Sequence, residues 1–403
     1  MRVLVADKLA EDALVEMRSL GVEVAYDPEL DAGRLPAALD GVGVLIVRGT
    51  EVGAPAIDAA RALNLIIRAG SGTGRIDVRA ASERGIYVAN CPGKNAAAVA
   101  ELTLALMGSL DRRVPDAIAS LRAGKWEKNE YARAAGLSGR ALGIAGLGEV
   151  GRAVLRAGLA LGVEPHAFSR SLTAARAAEL GVRRASSLVE LASRSRIFTV
   201  HLGLNERTRG AVSRQVLEAL PDGAIFINTA RAELVDYDAL TELAPRKGLR
   251  VGLDVLPGEP DKREGAYDHP ILRAGLVYAT PHIGASTDEA QLSISSESVR
   301  VLRSFILHGE VPNVVNISAS SRGRYQVVVR HRDRVGALAV VLGVLKRHDI
   351  NIQELGNTVF EGGKAACARI LTDTRPSEAC LREIMAFDEE VLHVNVVTLP
   401  NLA

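Results

Sequence analysis

The chain has 403 residues, 48% of them hydrophobic and 24% charged, with a formal net charge of +1. At roughly 100–200 residues per domain this length holds about two to four domains, each able to bury a core, and the composition excludes a disordered, collagen-like or disulfide-stapled chain. The near-zero charge leaves no field to draw in nucleic acid or an anionic membrane, and 3% aromatic content disfavours a base-stacking surface.

Short apolar strands are expected at 2–7, 22–26, 42–47, 65–69 and 86–89, alternating with helical segments that begin with 11–20. That alternation predicts a parallel sheet with crossover helices, whose ligands bind at the carboxyl ends of the strands. Those ends carry Arg48, the turn Gly70-Ser71-Gly72-Thr73-Gly74 and Asn90. A long helical stretch is expected over about 96–124. A second α/β series follows: a strand at 142–145, a Gly-rich turn, a helix to about 161, then strands at 164–168, 197–201, 224–228, 249–253 and 276–279. After Val311-Pro312-Asn313 the composition shifts, and the small polar run 318–323 reads as a linker. Beyond it come a strand at 325–330, a helix at 335–348, strands at 351–359 and 364–371, a helix at 377–386 and a strand at 391–399, the β-α-β-β-α-β order of a ferredoxin-like domain.

Cys91, Cys367 and Cys380 are few, far apart and odd in number, which suits a reducing compartment. Met1-Arg2-Val3-Leu4-Val5-Ala6-Asp7 reads as a strand rather than a signal peptide, and no stretch approaches the ~18 apolar residues of a membrane span. A cytoplasmic location is therefore expected. The eight histidines lack ligand spacing, and Cys-x-x-Cys, His-Glu-x-x-His, P-loop and Gly-x-Ser-x-Gly motifs are all missing from the sequence, so no metal site is expected.

The strongest local signal is Gly146-Leu147-Gly148-Glu149-Val150-Gly151, which follows an apolar strand and opens a helix. In such a turn the first glycine permits the tight bend, the second lets backbone approach a pyrophosphate, and the third lets helix pack on strand. The helix N-terminus then faces the phosphates with unpaired N–H groups. At the end of the next strand, where a carboxylate would favour NAD, stand Ser169 and Arg170. A hydroxyl and a guanidinium suit a 2′-phosphate, so the cofactor is NAD or NADP, with NADP favoured. Later strand ends offer Arg231, Asp254 with Glu259, and His282, in that order. Singly each is an ordinary structural residue; together they make an acid–base set.

These segments resemble the D-isomer-specific 2-hydroxyacid dehydrogenase family over residues 1–316. The matching pieces are the Gly-rich turn, Asn228-Thr229-Ala230-Arg231, Leu253-Asp254-Val255 with Glu259, and Thr280-Pro281-His282-Ile283-Gly284. Asn90-Cys91-Pro92 with Asn95, Val99, Ala100 and Glu101 resembles the family's helix entry. The resemblance implies a flavodoxin-like substrate domain made of 1–98 and 285–317 around a Rossmann nucleotide domain at 99–284. It implies Arg231, Glu259 and His282 as the catalytic set. His282 would exchange the hydroxyl proton, Glu259 would orient the imidazole, and Arg231 would fork onto the substrate carboxylate. Gly146, Gly148, Glu149, Val150, Gly151, Ser169, Arg170, Thr229, Ala230 and Asp254 would serve the cofactor, and Arg48, Gly70, Ser71 and Asn95 the substrate.

Residues 324–403 resemble an ACT domain, a small-molecule regulatory module, through His331-Arg332-Asp333-Arg334-Val335-Gly336 and Asp349-Ile350-Asn351-Ile352. That likeness implies a serine effector held by His331, Asp333 and Asn351. The pairing of the two modules implies a phosphorylated D-2-hydroxyacid as substrate, with Arg48 on the phosphate. The other readings are a reductase of glyoxylate or hydroxypyruvate and a non-catalytic, NAD(H)-sensing scaffold. Long apolar helices and open sheet edges favour a homo-oligomer, dimer or tetramer. Trp126-Glu127-Lys128 resembles a Trp-x-Lys that reaches a neighbouring subunit in relatives; the alternative is an aromatic that plugs a core. The chain departs from the family pattern at Gly49, Gly74-Arg75, Gly203 and Val335.

Overall fold

Runs of β-branched and aliphatic residues with no polar alternation belong in sheets covered on both faces. A computed structural model, which describes residues 1–260, 265–317 and 324–399, puts them there. The first five strands are β1 (Arg2–Val5), β2 (Glu23–Tyr26), β3 (Val42–Val47), β4 (Leu65–Arg68) and β5 (Tyr87–Asn90). They form a parallel sheet in the order β2-β1-β3-β4-β5. All six residues of β3 are buried.

A second parallel sheet holds β6 (Ala141–Ala145), β7 (Glu164–Phe168), β8 (Arg183–Arg184), β9 (Ile197–Val200), β10 (Ile225–Asn228), β11 (Arg250–Leu253) and β12 (Leu276–Ala279). Its order, β12-β11-β10-β9-β6-β7-β8, reverses direction between β6 and β9, the switch point where doubly wound sheets bind ligands. The two-residue β8 carries no apolar run and was not expected.

One expected helix is two. Ala96–Arg112 ends at Arg113, which takes a left-handed φ of 51°, and Val114–Arg122 follows. Pro115 is the cause: its ring has no N–H and excludes a straight helix through the preceding turn. Arg250 Nη1 donates to the carbonyls of Leu110 (3.3 Å) and Asp111 (3.2 Å) at the break.

The Asp288–His308 helix returns to the first sheet. Thr287 caps it by accepting the Ala290 N–H, and Asp288 and Glu289 complement its dipole. Its Ile294, Val299, Val301 and Leu302 pack with Val3, Val5, Ile46 and Ile67. Val314 then bridges Ala89 on the sheet edge.

The chain divides between Val315 and Asn316 into two compact units. The expected linker at 318–323 lies outside the described residues. The second unit contains β13 (Tyr325–Arg332), β14 (Ile352–Val359), β15 (Ala365–Thr372) and β16 (Val391–Thr398), with helices Ala337–Arg347 and Glu378–Met385. The antiparallel order β14-β15-β13-β16 is the expected ferredoxin-like arrangement. Val327, Val329, Ala368 and Ile370 form its core with Val341, Val344 and Leu345. No described helix is long and apolar enough to cross a membrane.

Candidate active site

Strand ends from both sheets of the first unit face one cleft of about 630 Å³. After β1, Asp7 is 6% exposed, and its Oδ2 accepts the N–H groups of Arg48 (2.6 Å), Gly49 (2.9 Å) and Thr50 (3.0 Å). Those bonds fix the turn that projects Arg48, whose Nη1 donates to Gln291 Oε1 (3.2 Å) on the return helix. After β4, Gly70 takes φ 150°, and a Cβ there would lie 1.3 Å from Arg68 Nη1. The Arg68 guanidinium therefore lies across the glycine. A Cβ on Gly72 would lie 2.7 Å from Arg231 Nη2. Ser71 Oγ donates to Asn95 Oδ1 (2.9 Å), and Asn90 Nδ2 donates to Ser71 O (2.6 Å). The Gly70–Ser71 turn is thus tied to the helix entry, through Asn95 and through the Cys91 N–H that Gly70 O accepts (3.0 Å).

From the second sheet, the Asn228 side chain braces the turn after β10: Oδ1 accepts the Ala230 N–H and Nδ2 donates to Arg231 O, both at 3.0 Å. The Thr229 hydroxyl is buried and shares a hydrogen bond with Thr103 (2.9 Å). Glu259 and His282 meet with Nδ1 2.6 Å from Oε2. Glu259 Oε1 also accepts the Leu256 N–H (2.8 Å). A carboxylate only accepts, so Nδ1 carries the proton in this bond and Nε2 remains for other chemistry. Burial works to raise the Glu259 carboxyl, but the bonds from His282 and Leu256 and the Arg231 charge outweigh it and hold it below the usual carboxylate range.

Asp254 is 1% exposed and accepts from Thr280 Oγ1 (2.6 Å) and from the N–H groups of Ile283 and Gly284 (both 2.8 Å). Burial raises its carboxyl, and those three donors only partly offset the rise. Both its oxygens are thus committed to the loop on which His282 adopts a left-handed φ of 53°. Asp254, expected on the cofactor side, also shapes the His282 loop.

In the nucleotide turn, a Cβ on Gly146 would lie 2.6 Å from His201 O, and one on Gly151 would lie 2.0 Å from Gly146 O. The protein's own backbone demands both glycines. A Cβ on Gly148 would meet open space, and this glycine is the N-cap of the Glu149–Ala160 helix. The free N–H groups of that helix end open onto this space, which fits a pyrophosphate. Glu149 is exposed and Val150 half-buried in the first turn. Gly146 N–H donates to Phe168 O (2.8 Å), so half-buried Ser169 and exposed Arg170 follow beside the turn.

The effector candidates do not come together. His331 is 2% exposed, with Nδ1 2.8 Å from Arg332 O and Nε2 3.0 Å from Asn357 Oδ1. His331 and Asp333 lie at one end of the sheet and Asn351 at the other, about 20 Å away at roughly 3.3 Å per strand residue. Trp126 plugs no core: it is 81% exposed.

Sequence reading missed Arg68, Asp7 and Asn228 as parts of the site. Arg68 was discoverable, because it ends an apolar strand as Arg48 does. Nothing in the local sequence marks Asp7 or Asn228 as a brace.

The nucleotide-sheet segment 104–284 matches the model described as "D-isomer specific 2-hydroxyacid dehydrogenase, NAD binding domain". A D-3-phosphoglycerate dehydrogenase of Methanocaldococcus jannaschii is 36% identical over 364 residues, 90% of this chain and 65% of the relative. The chain thus spans less than two thirds of that relative's length. A hydroxypyruvate reductase of Thermotoga maritima is 38% identical over 295 residues, 73% of this chain and 93% of the relative. An NAD+-bound 3-phosphoglycerate dehydrogenase of Entamoeba histolytica superposes with a TM-score of 0.65 at 25% identity, covering 79% of this chain and 99% of that one. The doubly wound fold is thus shared with a dehydrogenase solved with NAD+ bound. The chain belongs to the D-isomer specific 2-hydroxyacid dehydrogenase family, the one its ordered motifs resemble.

Proposed function

We propose that the chain is an NAD(P)-dependent D-2-hydroxyacid dehydrogenase acting on D-3-phosphoglycerate, in the cytoplasmic synthesis of serine. One observation carries this reading. His282, held by Glu259, lines a cleft with Arg48, Arg68 and Arg231, so a proton-transfer group sits among cations suited to a substrate with two anionic ends. When bound, the nicotinamide supplies the hydride acceptor or donor. Arg231 forks onto the substrate carboxylate and polarises the C2 oxygen. His282 Nε2 takes the C2 hydroxyl proton in oxidation and returns it in reduction, while Glu259 fixes the ring. Backbone N–H groups near Gly70 and Ser71 hold the carboxylate from the other side, and Arg48 faces the C3 phosphate. Ser169 and Arg170 favour NADP through the 2′-phosphate.

In this reading residues 1–98 and 285–317 form the substrate domain, 99–284 the nucleotide domain and 324–403 an ACT domain. The separation of His331 and Asp333 from Asn351 means that a serine touching all three needs more than one copy of the chain. This supports a homo-oligomer.

Reduction of glyoxylate or hydroxypyruvate is the second reading, favoured by the likeness to nearly the whole Thermotoga maritima reductase. Initial rates of 3-phosphohydroxypyruvate reduction with NADH and NADPH, beside hydroxypyruvate and glyoxylate, test the two. A kcat/KM preference for the phosphorylated substrate is expected. Preference for the small keto acids would move the assignment to the reductases.

A further inference from the structure

Glu259 reaches His282 from the segment 255–259, which leaves the sheet after Asp254 and turns at Gly258 with φ 66°. Among the described residues, no backbone-to-backbone hydrogen bond holds this segment. Two phenols do. Tyr237 Oη donates to Val255 O (2.5 Å), and Tyr267 Oη donates to Pro257 O (2.7 Å). His269 packs against both rings, stacked on Tyr267 (centroids 6.5 Å apart, planes 8° apart) and edge-on to Tyr237 (6.1 Å, 85°). Its Nδ1 accepts the Ile271 N–H (3.2 Å), which fixes the imidazole between them. Tyr237 is 6% exposed and burial raises its phenol; burial and then the Glu259 charge raise that of Tyr267. Both hydroxyls therefore keep the proton they donate.

Tyr237 has a second attachment. Asn228 Nδ2, which donates to Arg231 O, also lies 3.5 Å from Tyr237 Oη. One buried hydroxyl thus accepts from the turn that carries Arg231 and donates to the segment that carries Glu259, the two roles a phenol can combine. Tyr267 has no such link to Arg231 among the described residues; its bond is to the Glu259 segment. We infer that Tyr237 is a positioning residue, whose hydroxyl ties the Arg231 turn to the Glu259 segment so that the guanidinium and the His282–Glu259 pair keep one geometry, while Tyr267 braces the Glu259 segment alone. This inference rests on the roles given above to Arg231, Glu259 and His282. Hydride and proton transfer need the substrate anchor and the proton-exchanging ring placed together, and a small misplacement of either is felt in the rate.

The test measures keto-acid reduction, with 3-phosphohydroxypyruvate or hydroxypyruvate, whichever turns over faster, in wild type, Tyr237→Phe, Tyr267→Phe, Glu259→Gln and the double variants of each tyrosine with Glu259→Gln. Both phenylalanine variants keep the ring and lose the hydroxyl. Each lowers kcat about 3-fold to 10-fold. Tyr237→Phe also raises KM for the keto acid, because the Arg231 turn is released, whereas Tyr267→Phe leaves KM unchanged. The acid limb of the kcat profile moves to higher pH in both: against burial, the bonds from His282 and Leu256 and the Arg231 charge hold Glu259 below the usual carboxylate range, and a loosened segment loses part of them. In the Glu259→Gln background neither tyrosine variant lowers kcat further, since the group they position is gone. Calorimetry on every variant reads the loss of stability separately. A lower melting temperature with wild-type kcat, KM and acid limb overturns the inference, and so do kcat losses that simply add in the double variants. Wild-type turnover by Glu259→Gln is a different failure, which sinks the role proposed for Glu259 itself.

Discussion

His282 Nδ1 lies 2.6 Å from Glu259 Oε2, a contact between residues 23 positions apart on loops after different strands. The pair is partly open to solvent, with side chains 45% and 34% exposed. The imidazole is therefore oriented by the protein and still reachable by a substrate.

His282→Asn removes the proton-exchanging nitrogen and should lower kcat by about 10²–10⁴-fold, the usual worth of a general acid–base. Glu259→Gln should cost less, roughly 10-fold to 100-fold, because the ring stays but loses its fixed orientation. Steady-state rates in both directions check this. Turnover by His282→Asn close to wild type would refute the assignment.

Asp254→Asn separates loop shaping from cofactor contact. An amide offers one acceptor oxygen where three donors now converge, so the His282 loop should shift and kcat fall about 10-fold or more. NADH affinity, read by fluorescence titration, should change far less. A large loss of NADH affinity at unchanged kcat would return Asp254 to the cofactor.

Gly148→Ala and Gly151→Ala should fail differently. At Gly148 the new methyl meets open space, so melting temperature holds while the dinucleotide dissociation constant rises. At Gly151 it meets the Gly146 carbonyl, and overpacking should cost about 1–3 kcal/mol of stability. Calorimetry beside a binding titration distinguishes them.

Arg170→Ala should weaken NADPH binding by about 10-fold or more and leave NADH nearly unaffected, because only the former carries a 2′-phosphate for the guanidinium. Equal effects on both cofactors would refute the NADP preference.

Glu297 gives a pH test. It is 6% exposed, and hydrogen bonds from Arg300, then from Asn313, hold its carboxyl at about 2 despite burial. A depressed carboxyl stabilises the fold above its unfolded pKa, here 4.5, and that stability is lost as pH falls towards 2. Glu297→Gln should therefore be less stable than wild type at pH 7, by the order of 2 kcal/mol. The gap should close between about pH 4.5 and 2. Paired melting curves at pH 7 and pH 3 check the sign.

Both parallel sheets, the ferredoxin-like order and the family were legible in the chain. Unbroken apolar runs such as Val42–Val47 can satisfy their burial only inside a covered sheet, and a strand–Gly-turn–helix run constrains its own backbone over a few residues. The helix break at Arg113 was missed: Pro115, its cause, stands in the sequence, but the apolar periodicity runs through it.

The pairing of His282 with Glu259 was implied only through the family likeness. The turn of Asp254 towards the His282 loop and the braces Asp7 and Asn228 had no local signature, and the strand end that marks Arg68 does not show that it lies across Gly70. Each depends on where chain ends of distant strands meet. Side-chain type and spacing report local conformation, whereas the partner of a buried charge is set by which strands the sheet order brings side by side. Asp7 braces Arg48, 41 residues away in sequence, because β1 lies beside β3, one strand spacing away in the fold.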